Sequence, residues 1–172
     1  MPESVILGLD PGQIFTHRNI ANIITSSDLS SQSIIEFAVG AIGVEQIIVC
    51  GHTSCGGVAG ALGNAPIGAI DVWLTPLRML REKLVREGKF EGKSAAEQNL
   101  LLVEENVKEG VRVVRSNPHV LKAAKSREVK VHGFVYELHS GLLRELETQE
   151  EESHIKARSE AHDTSGNETL AH

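Results

Sequence analysis

The 172-residue sequence predicts an α/β domain with a mainly parallel central sheet flanked by helices. Three observations carry that prediction. Gln46 to Cys50, QIIVC, is a continuous aliphatic run of the kind found where a strand is buried on both faces. Glu128 to Leu138, EVKVHGFVYEL, alternates well enough for another strand, interrupted by Gly133. Between and before these runs the apolar residues recur at helical spacing, and strands alternating with helices favour parallel pairing.

Taken in order, Gln13 to Asn19 follows a Pro11-Gly12 turn and reads as a short strand with polar residues at its exit. The segment LSSQSIIEFAVGAI predicts a helix capped by Asp28 and ended by Gly43. After QIIVC, Cys55 to Leu62 is small and Gly-rich and reads as the start of a short helix. GAIDVWLTPLRMLREKLVRE is amphipathic, with Pro76 starting a new helix or bending this one. Ser94-Ala95-Ala96-Glu97 has the spacing of a capping box, and its helix runs to about Ser116, where Asn117-Pro118 stops it. HVLKAAKS predicts one more short helix. Residues 1–147 thus read as one domain, and the polar, aperiodic stretch 148–172 as a disordered tail.

Composition excludes several function classes. A formal charge of −6 offers no basic face for nucleic acid. No apolar run approaches the ~20 residues of a membrane helix. The opening MPESVILGLDPG has the character of neither a signal nor a transit peptide, which suggests a cytoplasmic protein. Aromatic residues are 3% of the chain, so the core must be aliphatic. Two cysteines make no disulfide framework, and in a reducing compartment they point to metal or redox chemistry.

The stretch VCGHTSCGG, Val49 to Gly57, holds the chemistry-bearing pair. Zinc favours cysteine thiolate and histidine nitrogen in tetrahedral sites, so His52 and Cys55 supply two ligands and need partners from elsewhere. Gly56 and Gly57 let backbone approach a ligand and turn N–H groups toward an anion. The structural alternative is a buried Cys55 and a hydrogen-bonded loop His52. Cys50, inside the aliphatic run, reads as a core cysteine, and His132 as a satisfied histidine at a sheet end. Trp73 reads as core or oligomer interface. Arg18, beside Asn19 at the exit of the first strand run, suits either a clamp on a small carboxylate or carbonate, or a salt bridge.

These residues resemble the β-class carbonic anhydrases. PGQIFTHRNIAN (Pro11 to Asn22) is similar to that family's PG(D/E)xFxxRNxAN segment, VCGHTSCGGV to its zinc loop, and VHGFVYELHSGLL (Val131 to Leu143) to its last strand and turn. The resemblance implies a zinc enzyme that interconverts carbon dioxide and bicarbonate, assembled as a homodimer or tetramer. It implies zinc on His52 and Cys55, with a further cysteine and an Asp-Arg pair from an upstream Cys-x-Asp-x-Arg segment. It also implies contacts to substrate or anion from Arg18, Asn19, Gly56, Gly57 and Tyr136. Arg18 and Tyr136 match two members of a regulatory bicarbonate pocket known in some family members, whose tryptophan has no counterpart before Arg18. In family members the Cys-x-Asp-x-Arg segment precedes the residues matching Pro2 onward, so the expectation is that this chain lacks it, together with a first, central strand. Two other functions follow: a catalytically impaired, non-enzymatic subunit that pairs with an intact relative, and hydrolysis of a related gas such as carbonyl sulfide.

Overall fold

The computed structural model describes residues 2–148, so most of the stretch read as a tail lies outside the described residues. A short helix α1, Glu3–Leu7, ends at Gly8, whose φ of 64° is left-handed. The chain then runs without regular structure to a 3₁₀ turn at Ile20–Asn22. The strand expected over residues 13–19 does not form. A strand is defined by its ladder, and no described segment pairs with this one; Phe15 instead packs its ring 5.9 Å from that of Phe37.

Helix α2, Leu29–Glu36, begins where the sequence places it, with the Asp28 carboxylate accepting the N–H groups of Ser30 and Ser31 at 3.2 Å each. It continues into a π-helical turn, Phe37–Ile42, closed by Gly43 at φ 79°. Arg127 fixes that exit, donating to the carbonyls of Val44 at 2.7 Å and Val39 at 2.8 Å. The chain enters β1, Gln46–His52, from there.

Helix α3, Gly56–Leu62, follows, then α4, Ile70–Trp73, and α5, Thr75–Arg86, with Pro76 in the first turn of α5 as its missing N–H requires. The capping box opens α6, Ala95–Arg115: Ser94 N–H donates to Glu97 Oε2 at 2.7 Å and Glu97 N–H donates to Ser94 Oγ at 3.4 Å. Helix α7 is Pro118–Ala124, and strands β2, Lys130–Glu137, and β3, Leu142–Leu146, complete the described chain.

The α/β class holds, and the sheet is mixed. Its order is β1-β2-β3, with β1 and β2 parallel and β2 and β3 antiparallel. Helix α6 covers one sheet face with Val103, Val107, Val111 and Val114, all essentially solvent-free, on the side of Val49, Gly51 and Gly133. Burying each such side chain contributes roughly 1.5–3 kcal/mol, which makes this aliphatic layer the main support of the site. The other face of β1 is open: Ile48 is 43% exposed and Cys50 is exposed. QIIVC is therefore buried on one face only, and Cys50 is not a core cysteine. Burial alternates along β1 because α6 shields the side of Val49 and Gly51 alone. No helix among the described residues is long and apolar enough to cross a membrane.

Candidate metal centre

β1 delivers His52 at its carboxyl end, two residues of turn follow, and Cys55 begins α3. The turn is fastened to β2. Thr53 N–H donates to the Tyr136 carbonyl at 3.0 Å, and Leu138 N–H donates to Thr53 Oγ1 at 3.0 Å. Ser54, between the two candidate ligands, sits at φ 56°, a left-handed conformation that costs a non-glycine residue roughly 1–3 kcal/mol. Such strain persists only where the surroundings over-determine the backbone, as the two Thr53 bonds do here.

The His52 ring is oriented by its own turn. Nδ1–H donates to the Thr53 carbonyl at 2.9 Å, which leaves the Nε2 lone pair for another partner. Cys55 is 5% exposed, and its carbonyl accepts both Ala59 N–H at 2.9 Å and Asn99 Nδ2–H at 3.3 Å. One imidazole nitrogen and one thiol on a short, tied-down corner are a donor set suited to zinc. Among the described residues no group of three His, Cys, Asp or Glu side chains is placed to hold a metal.

A second strained segment packs against this corner. Ala21 and Asn22 have φ of 60° and 44°. Asn106, buried on α6, donates to the Ala21 carbonyl at 2.8 Å, and Trp73 Nε1–H donates to the Ile20 carbonyl at 2.9 Å. Gly57 allows the contact, since a Cβ there would lie 3.0 Å from Ile20 Cγ2 and 3.1 Å from Ala21 Cβ. Gly51 plays the same part inside β1, where a Cβ would meet Val107 Cγ2 at 2.9 Å and Asn22 Oδ1 at 3.2 Å.

The remaining expected residues divide. Tyr136 is the parallel-register partner of His52, so the two stand side by side at the strand ends. Gly56 and Gly57 form the first turn of α3, directly after Cys55. Asn19 turns inward, donating from Nδ2 to the Ile23 carbonyl at 2.9 Å, while its Oδ1 is buried without a partner among the described residues. The Arg18 side chain is 68% exposed, with Nε 3.1 Å from Glu3 Oε1 on α1. The salt-bridge reading thus has its partner in Glu3. His132 is the satisfied sheet histidine expected, with Nδ1 2.7 Å from Glu145 Oε1 and Nε2 3.0 Å from Gln46 Oε1. Asn99 and Asn106 join the site through long-range bonds to the Cys55 and Ala21 carbonyls. Asn106 left a signal, an amide on the otherwise apolar stripe of α6.

A carbonic anhydrase family model matches residues 1–143 of the chain. The chain belongs to the β-carbonic anhydrase family. Its relatives include a carbonic anhydrase of Candida albicans, 40% identical over 146 residues, and one of Emericella nidulans, 41% identical over 150 residues. The alignments cover 83% and 85% of this chain but 51% and 64% of those proteins, so the chain spans about half to two thirds of their length. Among solved structures, the β-carbonic anhydrase CafA of Aspergillus fumigatus superposes with a TM-score of 0.90 at 48% identity, covering 95% of this chain and 77% of that one. One of two tetrameric β-carbonic anhydrases of Sordaria macrospora gives 0.80 at 38% identity, covering 85% and 74%. Membership accounts for the corner at the end of β1 and for the α6 layer beneath it as features of a family fold.

Proposed function

We propose that this chain belongs to a zinc-dependent carbonate dehydratase that interconverts carbon dioxide and bicarbonate, with His52 and Cys55 as two of the metal ligands. The observation that carries the reading is the His52 ring, whose Nδ1–H is committed to the Thr53 carbonyl at 2.9 Å while a buried thiol sits three residues on. Imidazole ligands are ordinarily fixed in this way, with the non-coordinating nitrogen held by a carbonyl or carboxylate. The resemblance implies further ligands from the family's Cys-x-Asp-x-Arg segment. Zinc, when bound, supplies the Lewis acidity that makes water a usable nucleophile at neutral pH.

The chain's own residues bind and orient. Gly56 and Gly57 offer backbone N–H groups beside Cys55 to an anionic product, and Tyr136 stands beside His52. Asn19 closes its own turn by donating to the Ile23 carbonyl across the strained Ala21 and Asn22. Arg18 would meet bicarbonate only by exchanging its Glu3 partner for that anion, a swap between like ligands that exposure makes cheap. We read the working assembly as a homodimer or tetramer, in keeping with the tetrameric Sordaria relatives. The two free cysteines favour the cytoplasm.

Stopped-flow carbon dioxide hydration by the full natural protein, with His52→Ala and Cys55→Ser beside it, tests the proposal. Activity in the parent and its loss in both variants is the expected result. A folded, zinc-free and inactive protein that co-purifies with an intact relative would instead identify the non-enzymatic subunit.

A further inference from the structure

Cys55 is held from two sides. Toward β2 the corner is secured through Thr53, whose N–H and Oγ1 bond Tyr136 and Leu138 at 3.0 Å each. Toward the helices, Cys55 has no side-chain capping bond of its own, although it occupies the N-cap of α3. Its carbonyl is the anchor there, and it takes two donors: Ala59 N–H from within the helix and the amide of Asn99 from the first turns of α6, 44 residues away.

Asn99 is an unusual choice for that place. Its neighbours Leu100 and Leu101 pack against the core, and Leu102 is completely buried. Its own Oδ1 is buried and has no partner among the described residues. Burying a carbonyl oxygen unpaired costs stability that a leucine of similar size would not incur. The return visible in the structure is one directed bond to the backbone of the residue that carries the thiol. An amide kept at such a cost, aimed at a corner already strained at Ser54, fits a role in aim rather than in folding.

We infer that Asn99 is a positioning residue for the Cys55 thiol, setting through the Cys55 carbonyl the direction in which Sγ is presented to a metal. The inference rests on the zinc reading given above. Loss of a residue that orients a metal ligand typically lowers metal affinity by roughly 10–100-fold. Removing the unpaired Oδ1 should leave the metal-free fold as stable as before or more so. Positioning and scaffolding roles therefore separate.

The experiment uses the full natural protein loaded with cobalt(II), comparing parent, Asn99→Leu, Asn99→Asp and Cys55→Ser. The cobalt–thiolate charge-transfer band reports the sulfur, release to a chelator reports affinity, and thermal unfolding of the metal-free protein reports the scaffold. Expected are a thiolate band in the parent that weakens in Cys55→Ser, and release about 10-fold faster or more in Asn99→Leu with a shifted band and undiminished apo stability. Asn99→Asp, which loses the donor but keeps the shape, should show the same faster release. Unchanged band and release in both Asn99 variants would overturn the inference and leave the zinc reading standing. A parent band indifferent to Cys55→Ser would overturn both. If neither Asn99 variant folds, Asn99 is a folding residue and the inference fails.

Discussion

Thr53 and Tyr136 continue the β1–β2 pairing one residue beyond the last strand pair, His52 with Tyr136, through an N–H to carbonyl bond of 3.0 Å. This bond holds the corner that carries His52 and Cys55 to the sheet and gives the strained Ser54 its fixed ends. Replacing Thr53 by Val keeps the shape and the N–H but removes the Oγ1 acceptor of Leu138 N–H. A loss of about 1 kcal/mol in urea-denaturation stability is expected, the usual contribution of one hydrogen bond.

Close approach of α6 to β1 depends on Gly51. Gly51→Ala would push a methyl to 2.9 Å from Val107 Cγ2 and 3.0 Å from Val103 Cγ1, and should destabilise by roughly 1–3 kcal/mol. Gly56→Ala is the control, because a Cβ there meets nothing within 4 Å. The second variant should unfold at or slightly above the parent midpoint.

Leu102 is 0% exposed in the layer between α6 and the rest of the core. Leu102→Ala should cost about 2–5 kcal/mol, the range for a cavity that its surroundings fill only in part. Measured by denaturant titration, that is a large share of the ~5–15 kcal/mol that holds a domain together.

The Asp28 cap makes a pH-dependent contribution. The Ser31 hydroxyl above all, helped by the N–H groups of Ser31 and Ser30 and by the nearby His17, holds the Asp28 carboxyl below the usual aspartate range. A folded pKa below the unfolded one means that the stabilisation is complete above the ordinary aspartate value of about 3.9 and fades as pH falls through the lower folded value. Asp28→Ala should therefore be about 1 kcal/mol less stable than the parent at neutral pH, with the gap narrowing below about pH 4. A gap that stays constant across that range would show that the charge is irrelevant to the cap.

What the sequence revealed, and what it hid, divides by range. Asp28, the Ser94–Glu97 box, Pro76 and the Asn117-Pro118 stop act within one helical turn, and each marks a boundary seen in the fold. The His52–Cys55 corner was legible for the same reason, being four consecutive residues after an aliphatic run. Residues 13–19 have local strand character but no described neighbour to complete a ladder, so they stay irregular. Whether Cys50 is covered depends on what packs over one face of β1, and α6 covers only the other. β3 escaped notice because LLREL lacks alternation, and it pairs with β2 through the short turn at Ser140-Gly141. Asn99 bonds a residue 44 positions away and leaves no local mark, whereas Asn106, whose partner is 85 positions away, shows only as an amide on the apolar stripe of α6.

The most direct test of the account is the zinc content, per chain, of the full natural protein after exhaustive dialysis, determined by elemental mass spectrometry beside Cys55→Ser and His52→Ala. About one zinc per chain is expected in the parent and strongly substoichiometric zinc in both variants, each still folded by circular dichroism. Full zinc occupancy in both variants, or a folded parent with none, would contradict it.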